Sequence, residues 1–173
     1  DKYNFWKQVN PTKFNYDELY KVKQSTNDNM SFLRLGWLSS RFSYEMLKSM
    51  NVVDIGSGNG SFVKAGKTIF GKISGFDLAG ESITEEELLR TNWDLIVLSD
   101  VLEHMVDINY IFKLKWKFAF ISFPETPVVT DFNELKTWRH FKPDEHLWCL
   151  NLNGVIKWVN ENNCKIFKSS NFE

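Results

Sequence analysis

The chain has 173 residues, 43% of them hydrophobic and 16% aromatic, which is enough to bury one substantial core, so one compact domain is expected. Its 21 basic and 22 acidic side chains leave a formal net charge of -1, which argues against a global field drawing it to nucleic acid or to an anionic membrane. No apolar run reaches the length of about eighteen residues that a membrane span needs, and no charged-then-apolar leader is visible, so neither a span nor a secretion signal is expected.

Cys149 and Cys164 are the only cysteines, and neither lies in a metal-ligand spacing. Two thiols of this kind suit a reducing compartment, so the cytoplasm is the expected location. Three lysines stand in KLKWKF (113–118), which reads as a solvated helix end running into a buried strand. The chain begins at Asp1 without Met, as a trimmed or partial chain would.

In chain order, the first thirty residues mix aromatics with Asn and Lys, are broken at Asn10-Pro11, and read as a lid or partner-facing segment. Ser31 then offers an N-cap, and Phe32, Leu35, Leu38, Phe42, Met46 and Leu47 follow at helical spacing. NVVDI (51–55) reads as a buried strand, with SFVKAGKTIF as a helix after its glycine loop. KISGFD (72–77) is a second strand and TEEELLR (84–90) a second helical stretch. WDLIVLS (93–99) is the strongest strand, VDINYIFKL (106–114) is helical, and WKFAFISF (116–123) is another strand. A connection from Pro124 to Trp148 precedes a helix at 152–162 and a last strand, CKIFKSS. Continuous apolar strands alternating with helices predict an α/β fold with a mostly parallel sheet, doubly wound and covered by helices on both faces.

In such a sheet, ligands sit at the carboxyl ends of the strands, so the loop after NVVDI is the first candidate site. Gly56, Gly58 and Gly60 permit positive backbone dihedrals and close approach of a ligand to the main chain. A dinucleotide fingerprint starting at Gly56 requires glycine at 61, where the chain has Ser61, and no Lys-Ser or Lys-Thr completes a phosphate loop. Asp54, two residues before the first glycine, would repel a pyrophosphate and suits a cationic ligand.

Asp54-Ile55-Gly56-Ser57-Gly58-Asn59-Gly60 resembles the first motif of class I S-adenosylmethionine-dependent methyltransferases. Gly75-Phe76-Asp77 stands where that family's ribose-binding acid ends the second strand. WDLIVLSDVLEHM (93–105) is similar to the fourth-strand motif, especially in the subgroup resembling ubiquinone-biosynthesis O-methyltransferases. The resemblance covers roughly residues 51–170 and implies a Rossmann-like fold, with residues 1–50 as an N-terminal helical cap and 51–173 as the S-adenosyl-L-methionine-binding domain. It assigns cofactor binding to Asp54, Gly56, Ser57, Gly58, Gly60, Asp77, Leu78, Ser99 and Asp100, with Leu78 beside the adenine.

The same resemblance implies an enzyme that methylates a small-molecule acceptor at a hydroxyl or another heteroatom. His104 and His146 are its candidate proton acceptors, because histidine has the suitable pKa. Glu103, Trp138, Arg139 and His140 are the candidate acceptor-binding residues, and Tyr3, Trp6 and Tyr20 are candidates to cap the site. Asp100-Val-Leu-Glu103-His104 also resembles a pattern associated with magnesium in some ubiquinone O-methyltransferases. Histidine is an uncommon magnesium ligand, and no metal is assigned.

Two departures from the family stand out. About fifteen residues between Asp77 and Trp93 must supply both a helix and the third strand, so that strand is expected to be abbreviated or absent. Only CKIFKSSNFE remains for both a sixth strand and the family's antiparallel seventh, so the seventh is expected to be absent. An alternative follows from both: a methyltransferase-like subunit that binds the cofactor without turnover.

Overall fold

The computed structural model describes residues 2–12, 27–78 and 83–167. In chain order the first elements are strand β1 (Trp6–Lys7), helices α1 (Asn27–Ser39) and α2 (Tyr44–Ser49), strand β2 (Asn51–Ile55), helix α3 (Ser61–Gly66) and strand β3 (Lys72–Phe76). Helix α4 (Glu85–Arg90), strand β4 (Asn92–Ser99), two 3-10 helices (Leu102–His104 and Ile108–Lys113) and strand β5 (Lys115–Ser122) follow. Helix α5 (Phe132–Thr137), strand β6 (Trp148–Cys149) and helix α6 (Leu152–Glu161) come last. The chain gathers into two compact units. The sheet unit comprises Phe14–Val101 and Asn109–Ser122; the three-segment unit comprises Asp1–Lys13, Leu102–Ile108 and Phe123–Glu173.

The sheet unit is α/β, with a four-stranded sheet in the order β3-β2-β4-β5 and every pair parallel. Winding runs outward from β2 to β3, then returns past β2 to β4, so its direction reverses at β2. Val52, Val53, Ile96, Val97 and Leu98 have no exposed surface, as continuous apolar runs in a covered parallel sheet should. Each such burial is worth about 1.5–3 kcal/mol. Leu35 and Leu38 of α1, Leu47 of α2 and Phe62 of α3 complete that core, with Trp37 against Phe120 and Phe42 against Phe118.

Local signals explain the helix ends. Ser43 caps α2 through Met46 N–H, and Thr84 with Glu87 forms a reciprocal capping box on α4. The Trp93 indole N–H donates to the Leu88 carbonyl at 3.0 Å and the Trp116 indole to the Ile111 carbonyl at 2.8 Å. These two tryptophans are partners in the β4–β5 register, so the same device starts both strands.

The three-segment unit pairs β1 with β6, antiparallel, with Trp6 opposite Cys149. Asp131 caps α5 and Asn151 caps α6. Gly154 lies so close to the Tyr3 carbonyl that a Cβ there would stand 2.2 Å away, which seats the N-terminal segment on α6. Tyr3 OH and Lys2 both bond Glu161. Phe5, Leu102, Leu135, Leu150 and Trp158 are buried.

Several expectations need correction. The helix expected to start at Ser31 already runs from Asn27, and Ser31 is buried within it. Phe32 and Met46 face solvent, because the chain breaks between α1 and α2 and the single 3.6-residue period does not carry across. The helix predicted for 61–70 stops at Gly66, where a Cβ would stand 2.7 Å from Ile73. Within the 124–148 connection, α5 forms behind its Asp131 cap. Cys164–Phe167 of the expected last strand is not strand, and the remainder of that stretch lies outside the described residues, as does Tyr20. Among the described residues, no strand lies between Phe76 and Asn92, and no helix is long and apolar enough to cross a membrane.

Candidate functional site

The sheet unit presents its loop at the carboxyl end of β2, where the winding reverses. Gly56, Gly58 and Gly60 all take left-handed dihedrals, with φ of 72°, 52° and 74°. A Cβ on Gly56 would stand 2.3 Å from a Val101 methyl, whereas Gly60 has open space around it. Gly56 and Ser57 N–H both donate to the Phe76 carbonyl, at 2.7 and 3.2 Å. The Asp77 carboxylate accepts Gly58 N–H at 2.7 Å, so the loop and the acid of the neighbouring strand hold each other. Leu78, next along, is 96% exposed.

Asp54 is 3% exposed. Burial raises its carboxyl from the ordinary range to about 7; Arg34 pulls the value down and Asp77 pushes it up. Burial thus favours the neutral form of this carboxyl, and a cation beside it would favour the ionised one. Ser99, at the end of β4, has a buried hydroxyl oxygen without a hydrogen-bond partner. Asp100 takes a left-handed φ of 54° and accepts bonds from the Arg34 guanidinium at 2.5 Å and Ser122 OH at 3.1 Å.

Arg34 escaped the sequence reading. Within α1 an isolated arginine reads as a solvated face, yet its side chain is only 13% exposed and its Nε is buried without a hydrogen bond. Its rarity was the available signal, since the chain holds mostly lysine as its cations.

The three-segment unit carries a different group. Leu102–His104 is a 3-10 turn, and the 145–148 stretch is laced to it. Leu147 N–H donates to the Glu103 carbonyl at 2.8 Å, the Trp148 indole to the Met105 carbonyl at 2.7 Å, and His104 Nδ1 lies 2.7 Å from the Glu145 carbonyl. Glu103 is 1% exposed and His146 8%. His104 Nε2 stands 3.9 Å from Glu103 Oε1, and the two imidazoles meet edge to face at 4.8 Å. One ligand atom from each of Glu103, His104 and His146 lies within 4.8 Å of the others, so the group has the donors to hold a metal ion.

His146 is pushed down to about 4, chiefly by burial and then by His104, so it is neutral at pH 7 and a weak base. Of the acceptor-side candidates, the Trp138 and His140 rings meet at a tilt with centroids 5.4 Å apart, and Arg139 Nε donates to His140 Nε2 at 2.9 Å, a group nearer the surface. Tyr3 and Trp6 sit in the N-terminal segment, where Tyr3 bonds Glu161 and Trp6 pairs with Cys149. Comparison with known proteins returns no match: no family model, no curated protein and no solved structure.

Proposed function

We propose that the chain is an S-adenosyl-L-methionine-dependent methyltransferase on a Rossmann-like, doubly wound sheet, acting on a small-molecule acceptor at a hydroxyl or another heteroatom. The observation that carries this reading is Asp54, a sealed acid at the end of β2, followed by three left-handed glycines and faced by Asp77. Asp54, Asp77 and Asp100 together would repel the pyrophosphate of a dinucleotide, which leaves a cationic nucleoside as the better fit.

When bound, S-adenosyl-L-methionine supplies an electrophilic methyl group on a sulfonium. Asp54 takes the ligand's ammonium, and an incoming cation favours the ionised form that burial disfavours. Gly56, Ser57, Gly58 and Gly60 offer main chain without bulk. Asp77 accepts the ribose hydroxyls, Leu78 covers the adenine, and Ser99 and Asp100 line the end of β4. Arg34 supplies the cation for the ligand's carboxylate. In-line transfer then asks the protein mainly to position the acceptor and exclude water. Acceptor chemistry is assigned to Glu103, His104 and His146, with Trp138, Arg139 and His140 as walls. Free cysteines suit the cytoplasm.

Calorimetry tests the cofactor. S-adenosylhomocysteine is expected to bind and NAD not; the reverse order would end this reading. Arg34→Met is expected to lower affinity for S-adenosylhomocysteine about tenfold or more while leaving that for 5′-methylthioadenosine, which lacks the amino-acid end, nearly unchanged. A second reading, a subunit that binds the cofactor without turnover, is favoured by the lack of a described strand between Phe76 and Asn92. Binding without transfer of labelled methyl to any candidate acceptor would select it.

A further inference from the structure

The magnesium-associated pattern places its first acid at Asp100, and the structure gives that carboxylate other work. One oxygen is paired with Arg34 and the other accepts Ser122 OH. What converges instead is one carboxylate and two imidazoles: Glu103, His104 and His146. Magnesium prefers six oxygens in a near-ideal octahedron and dehydrates reluctantly. This donor set does not suit it.

Both imidazoles are placed to act as ligands. His104 Nδ1 lies 2.7 Å from the Glu145 carbonyl, which can only accept, so that nitrogen carries a proton, and Nε2 is the ring nitrogen on the Glu103 side, 3.9 Å from Oε1. His146 is 8% exposed, and its Nδ1 is buried without any hydrogen-bond partner. A buried lone pair left without a partner costs about 1–3 kcal/mol, and a bound ion would remove that cost. Glu103 is itself held in place by the Leu147 N–H on its backbone carbonyl.

We propose that Glu103, His104 and His146 form a binding site for a borderline divalent transition metal, of the zinc, cobalt, nickel or iron class. Two imidazoles and one carboxylate are a ligand set of that class, and three protein ligands leave coordination positions for an oxygen ligand. Ligand atoms of a tetrahedral site lie roughly 3.3 Å apart at Zn–N bonds near 2.0–2.1 Å, so loading draws the three side chains together from their present spread. The site stands on the three-segment unit alone and does not depend on the methyltransferase reading.

The test is metal binding by the full chain after stripping with a chelator, with no cofactor present. Titration with cobalt(II) is expected to show one bound equivalent, with the visible bands of an imidazole-ligated ion, and magnesium to bind at least about a hundredfold more weakly. Glu103→Gln and His146→Asn should each weaken cobalt about tenfold or more, and Asp100→Asn should change it less than about twofold. Circular dichroism checks that the variants fold. A wild-type measurement stands beside them: zinc should shift the ring nitrogen resonances of two of the three histidines, His104 and His146, and leave His140 in place. Absence of binding by every transition metal, magnesium binding as tight as cobalt, or loss of cobalt in Asp100→Asn would each overturn the proposal.

Discussion

Asp54 in the sheet unit and Glu103 in the three-segment unit are both carboxylates sealed from solvent, at 3% and 1% exposure, and their neighbours differ in kind. Around Asp54 stand a second acid, Asp77, the Arg34 cation and a run of bare main chain. Around Glu103 stand two imidazoles, one of them, His104, aligned by a backbone carbonyl. A buried carboxylate by itself says little about its ligand, because its neighbours choose the partner. Glycine and a second acid leave room for an organic cation with hydroxyls, whereas paired imidazoles ask for an ion that accepts nitrogen lone pairs.

The loop is built from backbone geometry, so its most damaging substitution should be one that adds a single methyl. Gly56→Ala places a Cβ 2.3 Å from Val101 and forces a left-handed φ on alanine. A loss of about 3 kcal/mol in chemical denaturation is expected, together with loss of S-adenosylhomocysteine binding. Stability unchanged by this variant would mean that the loop does not hold its observed conformation.

Asp54→Asn separates binding from stability. Because burial raises the folded-state value from 3.8 to about 7, the folded protein holds a proton that the unfolded chain releases between those pH values. Asp54 therefore costs stability as pH rises through that window, by the order of a few kcal/mol above it. The variant should melt higher than the wild type at pH 8, with the difference shrinking toward pH 4, and should bind S-adenosylhomocysteine at least about tenfold more weakly. A lower melting temperature at pH 8 would show that Asp54 is stabilised by its surroundings.

In the wild type, the same ionisation predicts that S-adenosylhomocysteine binding strengthens as pH rises through about 7, because the ammonium selects the ionised carboxylate. A flat profile in calorimetry would detach Asp54 from the ligand. The smallest effect is expected at Gly60→Ala, where space is open and only the left-handed φ is strained, at about 1 kcal/mol.

What was legible in the sequence was local. NVVDIGSGNG carries strand, acid and turn in ten consecutive residues, and each apolar run from Val52 to Ile121 became a strand of the parallel sheet. Glu103 and His104 are readable as a pair and His146 as a second histidine candidate, but how the His104 ring is oriented depends on the Glu145 carbonyl, which no sequence pattern announces. Arg34 was invisible because a helical period cannot say whether a charge on one face meets water or Asp100. Phe32 and Met46 misled for the related reason that the chain turns between them, at Ser40–Ser43.

The indole bonds have a practical consequence. Trp93 and Trp116 each anchor a strand of the sheet unit to a carbonyl five residues earlier, while Trp148 is tied to Met105 in the three-segment unit. Fluorine-labelled tryptophan would then give each unit its own resonance, sensitive to whether that tether is intact. Following those resonances through a denaturant titration would show whether the two units melt as one cooperative body or in turn, and which of them a nucleoside or a metal ion protects.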